Sequence, residues 1–179
     1  MAIFGRASVK KNALSKLSDL ASISRGHSFR ARIEPDESGD VSVVQMGDIQ
    51  SDSVLNPFEL VSIRFEGARP ECWLEPGDVV LGSRGGALPA TLVPERLGSA
   101  IAASSVLIIR PKLELLDPGY LVWFLNYPSL GQRQLLANQQ GSNIQAVNPK
   151  GLADIKIHLP PIEVQCRIGS LSELQRREN

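Results

Sequence analysis

Between residues 41 and 110 the chain carries five short apolar or alternating runs, at 41–45, 60–65, 79–82, 90–93 and 105–110, each bounded by Gly, Pro, Asn or Asp. Runs of four to six residues closed by turn formers are too short for helices and fit strands. The centre of the chain is therefore predicted to be mostly β. Past Pro111 the period changes. Asp117 and Pro118 form a cap and first-turn pair, and Tyr120, Trp123, Phe124 and Tyr127 follow at i, i+3, i+4 and i+7, making one apolar helical stripe. A second helix is expected from Ser129 through Leu135 and Leu136 to Gln140. Asn148-Pro149 repeats the cap pair ahead of a short helix, and in the run 155–159 Ile157 alternates with Lys156 and His158 as in a strand. Pro160-Pro161 stops that strand and opens a terminal helix. Upstream, Leu14, Leu17, Leu20 and Ala21 fall at helical spacing before Ile23, with Ser15 or Ser18 as caps, and 30–40 reads as a polar loop.

The expected class is α/β (α+β), with a mixed β core and helices in the last third. At 179 residues and 42% hydrophobic composition the chain can bury one real core. One domain is expected over 1–160, with a C-terminal helix over 161–179 for association. That helix would be ~27 Å long at 1.5 Å per residue, and alone it is marginal in water. Its seam of Val164, Ile168, Leu171 and either Leu174 or Gln175 needs a partner, so self-association into a dimer is expected. Cys72 and Cys166 lie far apart without ligand spacing, which suggests neither a disulfide framework nor a metal site and fits a reducing cytoplasm. Residues 1–11 are basic without an apolar signal core, and no run approaches the ~18 apolar residues of a membrane span.

The 19 Lys and Arg balance 19 Asp and Glu, but unevenly. Residues 1–34 carry a balance of +5, through Arg6, Lys10, Lys11, Lys16, Arg25, Arg30 and Arg32 against Asp19 and Glu34. Residues 35–78 carry −8 and residues 79–179 carry +3. Such polarity lets one face meet a polyanion while another repels it.

Several segments, in order, resemble one family. Leu-Ser-Asp-Leu-Ala-Ser-Ile-Ser-Arg-Gly at 17–26 is similar to its opening motif. Leu-Glu-Pro-Gly-Asp-Val-Val-Leu-Gly-Ser-Arg-Gly-Gly at 74–86 is similar to its central strand and glycine loop. Gln-Gly-Ser-Asn-Ile-Gln at 140–145, followed at 152–168 by a strand ending in Leu-Pro-Pro and a Gln-x-x-Ile helix, resembles its closing motif. Together they resemble the target recognition domain of a type I restriction-modification DNA specificity subunit. The resemblance implies a non-catalytic reader of double-stranded DNA that docks a methyltransferase (modification) subunit and, with it, a restriction subunit. Family members commonly hold two recognition domains separated by long helices; one domain and one helix here imply a half-subunit that dimerises, or a piece of a longer protein.

Reading a duplex needs side chains at base edges set in a frame of phosphate contacts: Arg pairs with guanine, and Asn or Gln with adenine. Three loops offer such groups. Arg25, His27, Arg30 and Arg32 lie in the first, with the arginines suited to phosphates. Arg84, Gly85 and Gly86 form the second, where two glycines after a strand permit close backbone approach. The third, 138–145, gathers five amides and the Ser142 hydroxyl without a charge, including Gln140, Asn143 and Gln145. Lys150 is added toward phosphates. Neither a P-loop nor a methyltransferase motif occurs, so no cofactor and no metal is expected. The aromatic stripe reads as core rather than as a stacking platform, and His27 and His158 lack a partner motif. The rival classes are a small hydrolase, with Ser104 or Ser105 activated by Lys112, and a pure protein-interaction module.

Overall fold

In a computed structural model of the chain, residues 14–51, 54–65 and 67–178 are described, with side chains up to 175. The reading of 1–11, with Arg6, Lys10 and Lys11, lies outside them.

Strand β1 (Leu14–Lys16) opens the described chain, and the helical spacing of Leu17 and Leu20 yields a single turn, α1 (Leu17–Leu20), in which both leucines are fully buried. The helix goes no further because the next residues are drawn into a sheet as β2 (Ala21–Arg25), where a sequence reading had not placed a strand. Then come β3 (Val41–Val44), β4 (Val61–Ile63), β5 (Val79–Gly82), β6 (Ala90–Leu92), β7 (Ala100–Ala102) and β8 (Val106–Pro111). Five of these match the runs in the sequence; β7, only three residues of small side chains and one Ile, carries too little pattern to be seen. The first sheet is fully antiparallel in the order β2-β8-β5-β6. The second has the order β4-β3-β7, with β3 antiparallel to β4 and parallel to β7.

Alternation along β8 explains the layering. Leu107 and Ile109 point into a cluster shared with the helices, whereas Val106 and Ile108 point into a second cluster with Val44, Ala100 and Ala102 of the smaller sheet. The outer face of that smaller sheet, Val41, Val43, Ile63 and Ile101, is covered by Phe29, Ile33, Phe65 and Trp73. The order of layers is thus helices, larger sheet, smaller sheet, covering loops. Between the sheets Asp78 is 1% exposed, and the Arg110 guanidinium donates to both of its carboxylate oxygens at 2.8 and 2.9 Å. That bond raises the Arg110 pKa above its ordinary value.

Asp117 caps α2 (Pro118–Asn126) by accepting from the Tyr120 amide at 2.8 Å. Tyr120 and Phe124 are buried, Trp123 leans on the same cluster, and Tyr127 is exposed, so the stripe is core for all but its last ring. The second helix begins as a wide π-turn at Pro128–Gln132 and continues as α3 (Arg133–Ala137). It stops short of Gln140 because residues 139–140 are spent on other partners. Asn148 caps α4 (Pro149–Ala153), accepting from the Gly151 amide at 2.8 Å. Finally β9 (Lys156–His158) pairs with β1, and α5 (Ile162–Glu178) follows.

α5 lies along α2. Where they cross, a Cβ on Gly169 would sit 2.9 Å from the Gly119 carbonyl carbon and the Tyr120 nitrogen. Gln165, 1% exposed, latches the pair: its amide donates to the Leu115 and Pro160 carbonyls at 3.1 and 2.9 Å and accepts from the Asp117 amide at 3.0 Å. Ile168, expected to face a second chain, leans on this domain's own cluster. Val164, Leu171 and Leu174 stay exposed at 40, 62 and 56%.

Candidate nucleic-acid interface

The register sets Arg25 opposite Leu107 and Gly82 opposite Val106, so β2 and β5 end, and β8 begins, at one end of the larger sheet. The turn 103–105 sits between those exits. Gly26 donates its amide to the Val106 carbonyl at 3.0 Å, and a Cβ there would fall 2.2 Å from the Ala103 oxygen, so only glycine lets β2 leave this close to the turn. Arg25 donates to the Ser104 carbonyl at 3.2 Å. On the other side Ser83, 1% exposed, donates its amide and its hydroxyl to the Ser105 carbonyl at 3.0 and 2.8 Å. The first two candidate loops therefore start from one scaffold.

The third loop is fastened to the second. Val147 donates to the Ser83 carbonyl at 2.9 Å, Arg84 bridges to Ala146, and the Gln139 side chain donates to the Gly85 carbonyl at 2.9 Å. Gln140 and Ala146 exchange both backbone hydrogen bonds at 2.9 Å, closing the loop 141–145. Gly85 and Gly141 take φ values of +114° and +122°, the left-handed region that favours glycine. Residues 84–87 and 140–145 are all exposed. The guanidinium of Arg84 and the amides of Asn143 and Gln145 have no partner among the described residues. No acidic residue occurs between Asp117 and Asp154, while Arg133 and Lys150 do. The result is a water-facing wall of arginine and amides with no carboxylate in its own segments, which suits phosphates and base edges together.

Other candidates are placed differently. Gln140 has its side-chain oxygen engaged by the Asn148 amide at 3.1 Å, so it braces the loop against α4, where exposed Lys150 sits. Ser142 is exposed within the closed loop. His27 is half-buried, its ring 4.9 Å from Phe29 and 5.0 Å from Phe65, and its amide donates to the Ala102 carbonyl. Arg30 and Arg32 are exposed on the strap whose Phe29 and Ile33 cover the smaller sheet, and among the described residues no hydrogen bond or ion pair ties them to 84–86. Gln139 and Ser83, which position the wall, went unassigned because their partners are distant backbone carbonyls. The family-like motifs also resolve into structure: Asp78 is the acceptor for Arg110, and the Gln-x-x-Ile of the terminal helix is the latch Gln165 and the half-buried Ile168 that packs against the core.

The serine–lysine arrangement does not form. Ser105 precedes β8 and Lys112 follows it, roughly 20 Å apart at ~3.3 Å per residue, and the Lys112 ammonium donates to the Asp19 carbonyl at 2.8 Å. A cavity of about 720 Å³ lies elsewhere, between β6, α2 and α5; Glu95, Asp117 and Glu173 line it without a Lys or Arg, the wrong sign for a polyanion. Cys72 and Cys166 are free thiols, and among the described residues no three His, Cys, Asp or Glu side chains converge as a metal site would require. No helix among the described residues is long and apolar enough to cross a membrane.

A family model described as the type I restriction modification DNA specificity domain matches residues 10–174. Among solved structures, the HsdS subunit from Thermoanaerobacter tengcongensis superposes with a TM-score of 0.65 at 19% identity, over 98% of this chain and 40% of that one. A chain from a structure of type I R-M system assembly and conformational transition gives 0.64 at 19% identity, over 98% and 41%. The type I restriction-modification S subunit from M. genitalium gives 0.58 at 13% identity, over 94% and 40%. The chain thus spans about 40% of the length of the solved chains it matches, and shares their fold. No curated protein sequence matches it.

Proposed function

This chain belongs to the type I restriction modification DNA specificity domain family, the non-catalytic DNA-recognition component of those systems, and from that premise we propose that it reads one half of a bipartite target in double-stranded DNA. Arg84, Asn143 and Gln145 take base edges, Gln140 braces them, and Arg25, Arg30, Arg32 and Lys150 take phosphates. The observation that carries this reading is the fastening of 84–86 to 138–146 on one exposed sheet end, because two segments on opposite faces could not meet one duplex.

In the same reading the chain recruits a methyltransferase subunit and a restriction subunit, and two copies associate through Val164, Leu171 and Leu174 of α5. One copy has no net charge and only a local basic excess, and joining two on one DNA raises apparent affinity through effective concentration. The test is a binding selection from random-sequence duplexes followed by anisotropy titration across a salt series. A recovered consensus and a linear fall of log affinity with log salt are expected. Binding without sequence preference, or none at any salt, overturns the proposal.

A further inference from the structure

Resting on that DNA-reading function, we infer that Ile144 is an apolar subsite for the 5-methyl group of a thymine in the major groove. Ile144 stands at 62% exposure between Asn143 and Gln145, the two amides of the closed loop without a partner among the described residues. A solitary exposed aliphatic is ordinary on a protein surface; its place here is not. The loop is short and pinned by the paired bonds of Gln140 and Ala146. A Cβ on Gly141 would lie 2.3 Å from the Ile144 carbonyl oxygen, so the backbone of residue 144 is folded back against the glycine and its position is set by the loop.

The major-groove edges of the base pairs offer donors, acceptors and one kind of apolar group, the thymine 5-methyl. A side chain without hydrogen-bonding atoms, placed in register with groups that read edges, has only that methyl to gain from. The neighbours agree with it. Asn and Gln side chains pair with the N6 and N7 of adenine, so an amide on adenine and Ile144 on the methyl of the paired or adjacent thymine describe the same A·T-containing step. The methyl of 5-methylcytosine presents the same chemistry from another base.

The experiment starts from the consensus duplex selected by the full chain and replaces each thymine singly with uracil, which lacks the methyl and keeps the pairing. One or two positions should lose about fourfold in affinity, the worth of one buried methyl. Ile144→Ala should bind the thymine duplex more weakly yet bind the thymine and uracil duplexes equally, with an unchanged Tm because the residue is exposed. A parallel set with 5-methylcytosine for cytosine distinguishes the two sources: a gain at the same register in the wild type, absent in Ile144→Ala, also supports the subsite. Equal affinity for thymine and uracil at every position in the wild type overturns it, as does a uracil penalty that persists in Ile144→Ala. Those results leave DNA reading intact; failure to select any sequence overturns that reading and the subsite with it.

Discussion

The side chains of Arg84 and Asn143 have no partner among the described residues and both are exposed, so the cost of losing either should fall on binding alone. Arg84→Ala or Asn143→Ala should cost ~1–3 kcal/mol of DNA binding and relax preference at one base pair, whereas Arg30→Ala should weaken all duplexes alike and lower the salt slope by about one; a selection repeated on each variant separates the two patterns. Asp78 is the converse case. Asp78→Asn removes a charge-assisted pair with Arg110 whose worth is ~1.5–3 kcal/mol, so urea unfolding should shift while the selected consensus does not. Lys16 lies 2.7 Å from Asp154 and holds its carboxyl below the usual carboxylate range. A carboxyl depressed in the fold adds stability above its unfolded-chain value and loses it as pH falls through the folded-state value. Both side chains are about half exposed, at 53 and 49%, so the effect is small. Asp154→Asn should melt with the wild type once salt reaches ~1 M.

At the scale of elements, the crossing of α2 and α5 is the least forgiving contact. Gly169→Ala places a methyl against the backbone of Gly119 and Tyr120 and should cost ~1–3 kcal/mol through forced separation of the helices. Gln165→Leu should cost a similar ~1–3 kcal/mol by leaving buried carbonyls and an amide unmatched; thermal unfolding checks both. These elements also mark how far a sequence can be read. The caps Asp117 and Asn148, the stops at Pro160 and Pro161 and the short apolar runs of β5 and β8 are local signals, and each produced the element it announces. What stayed hidden is set by distant partners. β2 is a strand because β8 lies beside it, with partners 82 to 90 positions further along the chain, and α3 ends at Ala137 because Gln139 and Gln140 find Gly85 and Ala146. The three candidate loops were legible as chemistry, from arginine and amide content, but the joining of the second and third was not, because backbone bonds such as Val147 to Ser83 have no residue preference.

For the molecule as a whole, the terminal helix has two faces, one packed on the domain and one exposed. Its Gln165, Ile168 and Gly169 face belongs to the domain, so a chain ending at Pro160 would lose core packing and report poorly on association. The sharper variant is the triple substitution of Val164, Leu171 and Leu174 to Asp, which should leave the fold intact and convert the proposed dimer to a monomer in sedimentation; a monomer before substitution, or an unchanged dimer after it, overturns association through this face. The mutual fastening of 83–86 and 138–147 carries a different consequence, for attempts to change what the domain reads. A graft that transplants one segment from a relative arrives without its opposite number, so the Gly85 carbonyl or the Gln139 amide faces a stranger. Retargeting by exchange should therefore succeed only when both stretches travel as one cassette, on a sheet end that stays put.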